Sequence, residues 1–303
     1  MSKEPVYNFV SYKLDDVDEV FRIKDVLSEN WIFRGHANGS WDMRSSLERE
    51  LESRKINKFF TGEIEDLMLK GAKKSTQLQE RYNLEDEDAF SWLSLLQHYG
   101  CKTRLVDFTE SFDVALYFAT SQLLEPDKER ENPDYRYREA AVWAISTKRL
   151  DEQIKKYQEE HEVQYSDQEI KERLVNNAIS YKDRYKDSDQ FNVVCGKPKT
   201  TNDRIDAQNG LFVFPLDISI PFQENLSKAL GLTGQKEPIP KLSTFRDIKQ
   251  SQENRDIIKF CISEDILCDI LKKLREKGIS EKELFPELDG FARSLNYYAL
   301  GLD

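Results

Sequence analysis

LLQHYGCKTRLVDFTESFDVALYFA, residues Leu95–Ala119, holds a helix end, a strand and a second helix in one stretch. The apolar run Phe90, Trp92, Leu93, Leu95 and Leu96 predicts a buried helix, and Gly100 stops it, because a helix C-terminus favours a residue that tolerates positive φ. TRLVDFT then reads as a strand or extended turn, and SFDVALYFATSQLL as an apolar helix. Ser111 stands where its hydroxyl can accept from a free first-turn N–H, and Val114, Ala115, Phe118 and Leu123 fall on the inward face.

Upstream, WIFRGH (Trp31–His36) reads as a buried strand opening into a turn at Gly35. Before it, DDVDEVFRIKDVL has helical spacing, with Asp15 or Asp16 as cap, and an aromatic-alternating piece carries Tyr7, Phe9, Val10 and Tyr12. Residues 44–100 read as mostly helical, with Leu47, Leu51, Phe59, Phe60, Ile64, Leu67 and Met68 as apolar positions. Downstream, 126–138 is a polar, Pro-containing loop and AAVWAIS a buried strand. The charged stretch 149–190 reads as a helical insertion of two solvated helices. FNVVC, NGLFVFPL and IIKFCIS are strand-like, the linker QKEPIPK precedes the last of them, and the chain ends in helices broken at Gly278. Helices interleaved with short apolar strands predict an α+β fold: a single domain over 1–303, its mixed β core surrounded by helices, with 149–190 inserted.

Composition excludes several classes. The chain has 303 residues and a formal net charge of −11, which argues against non-specific binding to a phosphate backbone but leaves a local basic pocket open. Mean hydropathy is low at −0.69, yet 17 Phe, 13 Tyr and 4 Trp supply bulky core material. No apolar run approaches the roughly 20 residues needed to span a bilayer. The start, MSKEPVYNFV, lacks a basic-then-apolar leader. Cys101, Cys195, Cys261 and Cys268 form neither a disulfide framework nor a zinc pattern, and His36, His98 and His161 are too scattered for a sequence-local metal site. The expectation is a cytoplasmic protein with no metal and no membrane. GxGxxG, the P-loop, HExxH and GxSxG are all absent from the sequence.

Polar residues in apolar settings mark the candidate site. Burying a guanidinium costs several kcal/mol unless it is paired, so Arg34 at a strand end needs an anionic or multi-acceptor partner: a ligand phosphate or carboxylate, or an internal aspartate such as Asp107. Gln97, His98, Tyr99, Thr103, Arg104, Asp107 and Thr109 crowd the central stretch, where an Arg104–Asp107 network fixing a turn competes with a functional reading. Tyr117 and Phe118 are either core or a flat surface for a heterocycle. Arg204, Gln208 and Asn209 precede a strand, as turn residues or as ligand contacts. Arg44, Arg49, Arg54, Lys55 and Lys58 are a solvated helix face or a confined basic groove.

Phe33–Gly35 (FRG) and the W-x-M-x-S-S-L-x-R pattern of Trp41–Arg49 resemble the opening of the FRG domain. Leu95–Ala119 is similar to that family's central signature, and Arg204–Phe212 and Glu283–Leu295 resemble its later blocks. Cys101, Phe108 and Met43 depart from the residues common there. The resemblance implies a bacterial or phage-associated protein in a toxin or anti-phage defence setting, with an ADP-ribosyltransferase-like fold and NAD as substrate.

On that resemblance Arg34 and Gly35 hold the NAD phosphate or ribose, Thr109 takes the hydroxyl position, and Tyr117 and Phe118 pack the nicotinamide. Gln208 and His98 orient ribose or acceptor beside Arg34. The family's late catalytic glutamate has no counterpart in DRIDAQNG, so a carboxylate from Asp107 or Glu110 serves, or transfer proceeds without a glutamate, or the protein is not a transferase. Two readings therefore stand: an NAD-dependent ADP-ribosyltransferase with a protein or nucleic-acid acceptor, or a non-enzymatic sensor of a nucleotide or phage component. A third is a scaffold whose helices at 149–190 bind an antitoxin or other regulatory protein.

Overall fold

The computed structural model describes residues 9–27, 29–57, 61–82, 84–85, 88–121, 139–179, 191–232, 248 and 256–299. In chain order these form β1 (Val10–Leu14), α1 (Val17–Val26), β2 (Trp31–His36), α2 (Ser46–Ser53), α3 (Thr61–Lys73), α4 (Thr76–Tyr82) and α5 (Ala89–His98). Next come β3 (Val106–Thr109), α6 (Phe112–Thr120), β4 (Ala140–Ser146), α7 (Lys148–Glu160), α8 (Asp167–Ile179), β5 (Val193–Gly196) and α9 (Asp203–Ala207). The remainder is β6 (Gly210–Pro215), α10 (Phe222–Ala229), β7 (Ile257–Ile262), α11 (Glu264–Glu276), α12 (Glu281–Leu284) and α13 (Leu288–Ala299). Leu123, the loop 126–138, residues 180–190, the linker 235–241, Tyr7, Phe59, Phe60 and Lys58 lie outside the described residues.

The fold is α+β, built on one mixed sheet of seven strands in the order β1-β7-β4-β2-β3-β6-β5. Only β1 and β7 run parallel; each other neighbouring pair is antiparallel. β2 is central, with Arg34 opposite Trp143 of β4 and Phe33 opposite Thr109 of β3. All seven residues of β4 are buried, which is why AAVWAIS shows no polar alternation: both of its faces are covered.

The period-two pleat sorts neighbours to opposite faces. Phe33, Ala144 and Phe260 join a core with Val20, Leu116 and Leu271 from the helices on one side. Ile32, Trp143 and Val213 join Phe222 and Leu226 of α10 on the other. Gly35 faces the first side: a Cβ there would stand 2.0 Å from the Ala115 carbonyl oxygen and 2.7 Å from the Ala119 nitrogen. Only glycine lets α6 lie that close to β2.

Local signals are met at the helix ends. Asp16 accepts from Glu19 N at 2.9 Å, Ser111 accepts from Val114 N at 3.3 Å, and Ser45 and Glu48 form a reciprocal capping box. Gly100 and Gly278 take positive φ of 92° and 76° at the ends of their helices. The charged helices differ from the expectation of a solvated pair. Ile170, Leu174, Val175 and Ala178 of α8 are buried against Phe90, Trp92 and Leu93 of α5, so this element belongs to the core. Among the described residues no helix is long and apolar enough to cross a membrane.

Candidate functional site

A cleft of about 1120 Å³ opens beside the C-terminal half of β2. Its walls come from β2 and the turn after it, from α2 and the end of α5, from β3, from Phe118 of α6, and from α9 with Gln208. Alternation along β2 turns Arg34 and His36 away from α6, while Gly35 contributes backbone to the wall and its bare α-carbon to the helix contact.

Arg34 is fixed at two points. Its Nη1 donates to the Asp107 carbonyl oxygen at 2.6 Å and its Nε donates to His36 Nε2 at 3.1 Å. The Asp107 carboxylate stands 3.8 Å away, so the internal partner considered above is present even though Arg34 lines the cleft. Gln97 Nε2 donates to Asp107 Oδ1 at 2.7 Å and thereby orients that carboxylate. His36, 6% exposed, is pushed down to about 3 by burial first and then by the Arg34 charge; the Trp41 backbone acts weakly the other way. A neutral ring accepting at Nε2 carries its proton on Nδ1. Burial likewise draws Arg34 below its ordinary value, with Asp107 opposing and Arg49 assisting.

Six of the seven candidate residues meet here: Arg34, Gly35, His98, Thr109, Phe118 and Gln208 all line the cleft. Their hydrogen-bonding capacity is unequal. The Thr109 hydroxyl donates to the Gln208 carbonyl at 2.7 Å and accepts from Ser111 N at 3.0 Å, so it serves the β3–α6 turn. Gln208 Nε2 donates to the Leu284 carbonyl at 3.0 Å, which leaves Oε1 as the acceptor Gln208 offers a ligand. His98 Nε2 stands 3.5 Å from Glu287 of the turn before α13.

Tyr117 is elsewhere. It is 2% exposed within the sheet–helix core, its hydroxyl donates to the Glu281 carboxylate, and it does not line the cleft. The inward and outward positions of α6 are thus exchanged relative to the sequence expectation: Tyr117 packs inward and half-buried Phe118 reaches the cleft.

Two expected networks are rearranged. Arg104 pairs with Glu65 rather than Asp107, with Nε donating at 2.5 Å, and the two side chains are 2% and 0% exposed. That frees Asp107 for the cleft. Glu110, the other carboxylate considered, pairs with Lys197 at 2.9 Å and lines a separate cavity, not this one. In the basic stretch, Arg44 is held by Glu52 and by Asp42, and Arg54 by Glu50, so these two charges are matched within the protein.

The sequence reading did not place Trp41 at the site and named Arg49 only as part of a solvated face or basic groove. Both line the cleft, and they are the two ends of the W-x-M-x-S-S-L-x-R pattern, which was the available signal. Trp41 is 43% exposed, and its ring lies 6.2 Å from that of His36. Across the cleft Arg204 stacks on Phe285 at 4.4 Å. The lining holds four arginines and three carboxylates, a positive surplus in a chain of net −11. Among the described residues no group of three or more His, Cys, Asp or Glu is arranged to hold a metal ion.

Residues 29–128 match the model of the FRG domain. That span runs from β2 through α6 and takes in Arg34, Trp41, Arg49, His98, Asp107 and Phe118, whereas Arg204 and Gln208 lie beyond it. No curated protein and no solved structure matches the chain.

Proposed function

We propose that this protein cleaves NAD and transfers its ADP-ribose to an acceptor, on an ADP-ribosyltransferase-like fold. The observation that carries the reading is the cleft itself: a guanidinium fixed on the central strand, aromatic surfaces at Trp41 and Phe118, and a carboxylate, Asp107, oriented by Gln97. A cleft of about 1120 Å³ accommodates a dinucleotide, whose phosphates suit its cationic lining.

In this reading Arg34 binds NAD phosphate, Phe118 and Trp41 offer faces to the heterocycles, and Gln208 Oε1 accepts from a ribose hydroxyl. The bond between ribose C1′ and the nicotinamide nitrogen breaks with its electron pair leaving on nicotinamide. Asp107 stabilises the positive charge that develops on the ribose, the role a glutamate plays elsewhere. The acceptor's nucleophile bonds to C1′ and gives its proton to His98. The FRG resemblance supplies the setting, a bacterial toxin or anti-phage effector acting in the cytoplasm.

A binding-only sensor is the second reading, favoured by one observation: Asp107 is already engaged by Gln97 and lies close to Arg34, and glutamine, not glutamate, directly follows α9 at position 208. Nicotinamide release from NAD, with and without bacterial lysate, separates the two. Release that Arg34→Ala abolishes while the fold persists supports the transferase. Ligand-induced thermal stabilisation by NAD without any release overturns it in favour of the sensor.

A further inference from the structure

The arginines of the cleft are not equally balanced. Arg44 is spent on Glu52 and Asp42, its two acidic neighbours in the lining. Asp107 stands against Arg34. Arg49, exposed on α2, donates from Nη1 to the Arg44 carbonyl at 2.8 Å and, among the described residues, forms no ion pair. That backbone contact holds its guanidinium at the rim and leaves the charge unmet. Arg34 and Arg49 line the same cleft, where the Arg49 charge helps draw Arg34 below its ordinary value, and Lys259 adds a third cation around His36, its Nζ donating to the Gly39 carbonyl at 2.5 Å.

Like charges gathered in a concave, partly dehydrated site repel one another at a cost that falls only when an anion enters. A single phosphate bridges two guanidinium groups only when both converge on it. Two forks approaching from β2 and from α2 match two adjacent phosphates, each with oxygens for a bidentate contact. From this we infer a diphosphate-binding subsite between Arg34 and Arg49, with Arg49 as the residue that makes the cleft prefer a nucleoside diphosphate over a monophosphate. The inference deepens the transferase reading, because NAD carries such a diphosphate, yet it does not need the transfer step to occur.

The test is calorimetric titration of the full chain with ADP, AMP, adenosine and inorganic pyrophosphate, for the native protein, Arg49→Gln and Arg49→Lys. Expected is ADP binding about tenfold or more tighter than AMP, displacement of ADP by pyrophosphate, and an ADP affinity about tenfold weaker in Arg49→Gln with AMP nearly unchanged. Arg49→Lys keeps the charge without the fork and falls between. Equal affinities for ADP and AMP, or native ADP affinity in Arg49→Gln, overturn the subsite. Arg49-dependent diphosphate binding with no nicotinamide release removes the transferase reading and keeps the subsite. Nicotinamide release with an NAD KM indifferent to Arg49→Gln does the reverse.

Discussion

Arg34 is held by the backbone of Asp107, not chiefly by its side chain: Nη1 meets the Asp107 carbonyl at 2.6 Å, while the carboxylate lies at 3.8 Å. The two functions of Asp107 are therefore separable by mutation. Asp107→Asn keeps the carbonyl that fixes Arg34 and deletes only the negative charge. If that charge stabilises the developing ribose cation, the variant loses about 100-fold in kcat for nicotinamide release, with the NAD KM within about twofold of native. Steady-state kinetics on the two proteins check this. An unchanged kcat removes Asp107 from the chemistry, and a large rise in KM assigns it to binding.

The adjacent aromatics of α6 give a paired prediction. Tyr117 sits in the core on the Glu281 carboxylate, and Phe118 reaches the cleft. Tyr117→Phe removes a hydroxyl that no ligand touches, so it lowers stability by about 1 kcal/mol and leaves NAD affinity as it was. Glu281 retains Arg293 at 2.7 Å. Phe118→Ala weakens NAD binding, and because the half-buried ring also packs on Tyr117 and Phe285 it lowers the melting temperature as well. Thermal melts with and without NAD distinguish them, and an affinity loss in Tyr117→Phe would contradict the placement.

Much of the secondary structure was legible because its signals are local. The Ser111 and Asp16 caps, the Gly100 stop and the unbroken apolar run of β4 each act within one turn or one strand. What was not legible depends on partners distant in sequence. Arg104 has an aspartate three positions on, yet its partner is Glu65, 39 positions earlier on α3. Nothing near α8 announces that its apolar side meets α5, so its charge density read as solvation. The cleft followed the same division: β2, α5 and β3 brought Arg34, His98 and Thr109 together as expected, whereas Arg49 joined them through the packing of α2. Which of Tyr117 and Phe118 faces the cleft is set by the angle of α6 over Gly35, a tertiary quantity.

The Arg104–Glu65 pair carries a stability prediction independent of function. Both side chains are almost fully buried, Arg104 Nη1 also donates to the Pro215 carbonyl at 3.4 Å, and the guanidinium lies 4.8 Å from the Phe214 ring centroid. Removing one partner strands the other charge in a low-dielectric interior. Glu65→Leu or Arg104→Met alone costs about 3–5 kcal/mol, while the double variant recovers much of that loss because no ion remains unpaired. Urea denaturation of the four proteins closes the cycle. Additive losses would show that the two charges do not depend on each other.

His36 supplies the pH dependence. Its ring is held neutral in the fold, down to about 3, by burial and by Arg34, against an unfolded value near 6.5. As pH falls below the unfolded value, the unfolded chain takes up a proton that the folded chain refuses until about 3. Stability attributable to His36 is therefore whole above that unfolded value and declines as pH drops through the window, by up to about 1.4 kcal/mol per pH unit. The same protonation would turn the ring nitrogen that accepts from Arg34 Nε into a donor and break the contact that orients the guanidinium. His36→Gln keeps an acceptor for Arg34 without a titrating ring. Denaturation midpoints for both proteins, from neutral pH to about pH 5, should converge toward the acid end if the native protein starts more stable, and diverge if it starts less stable. A native-minus-variant difference that stays flat across that range would mean His36 is not held neutral, and the fixed geometry of Arg34 would need another source.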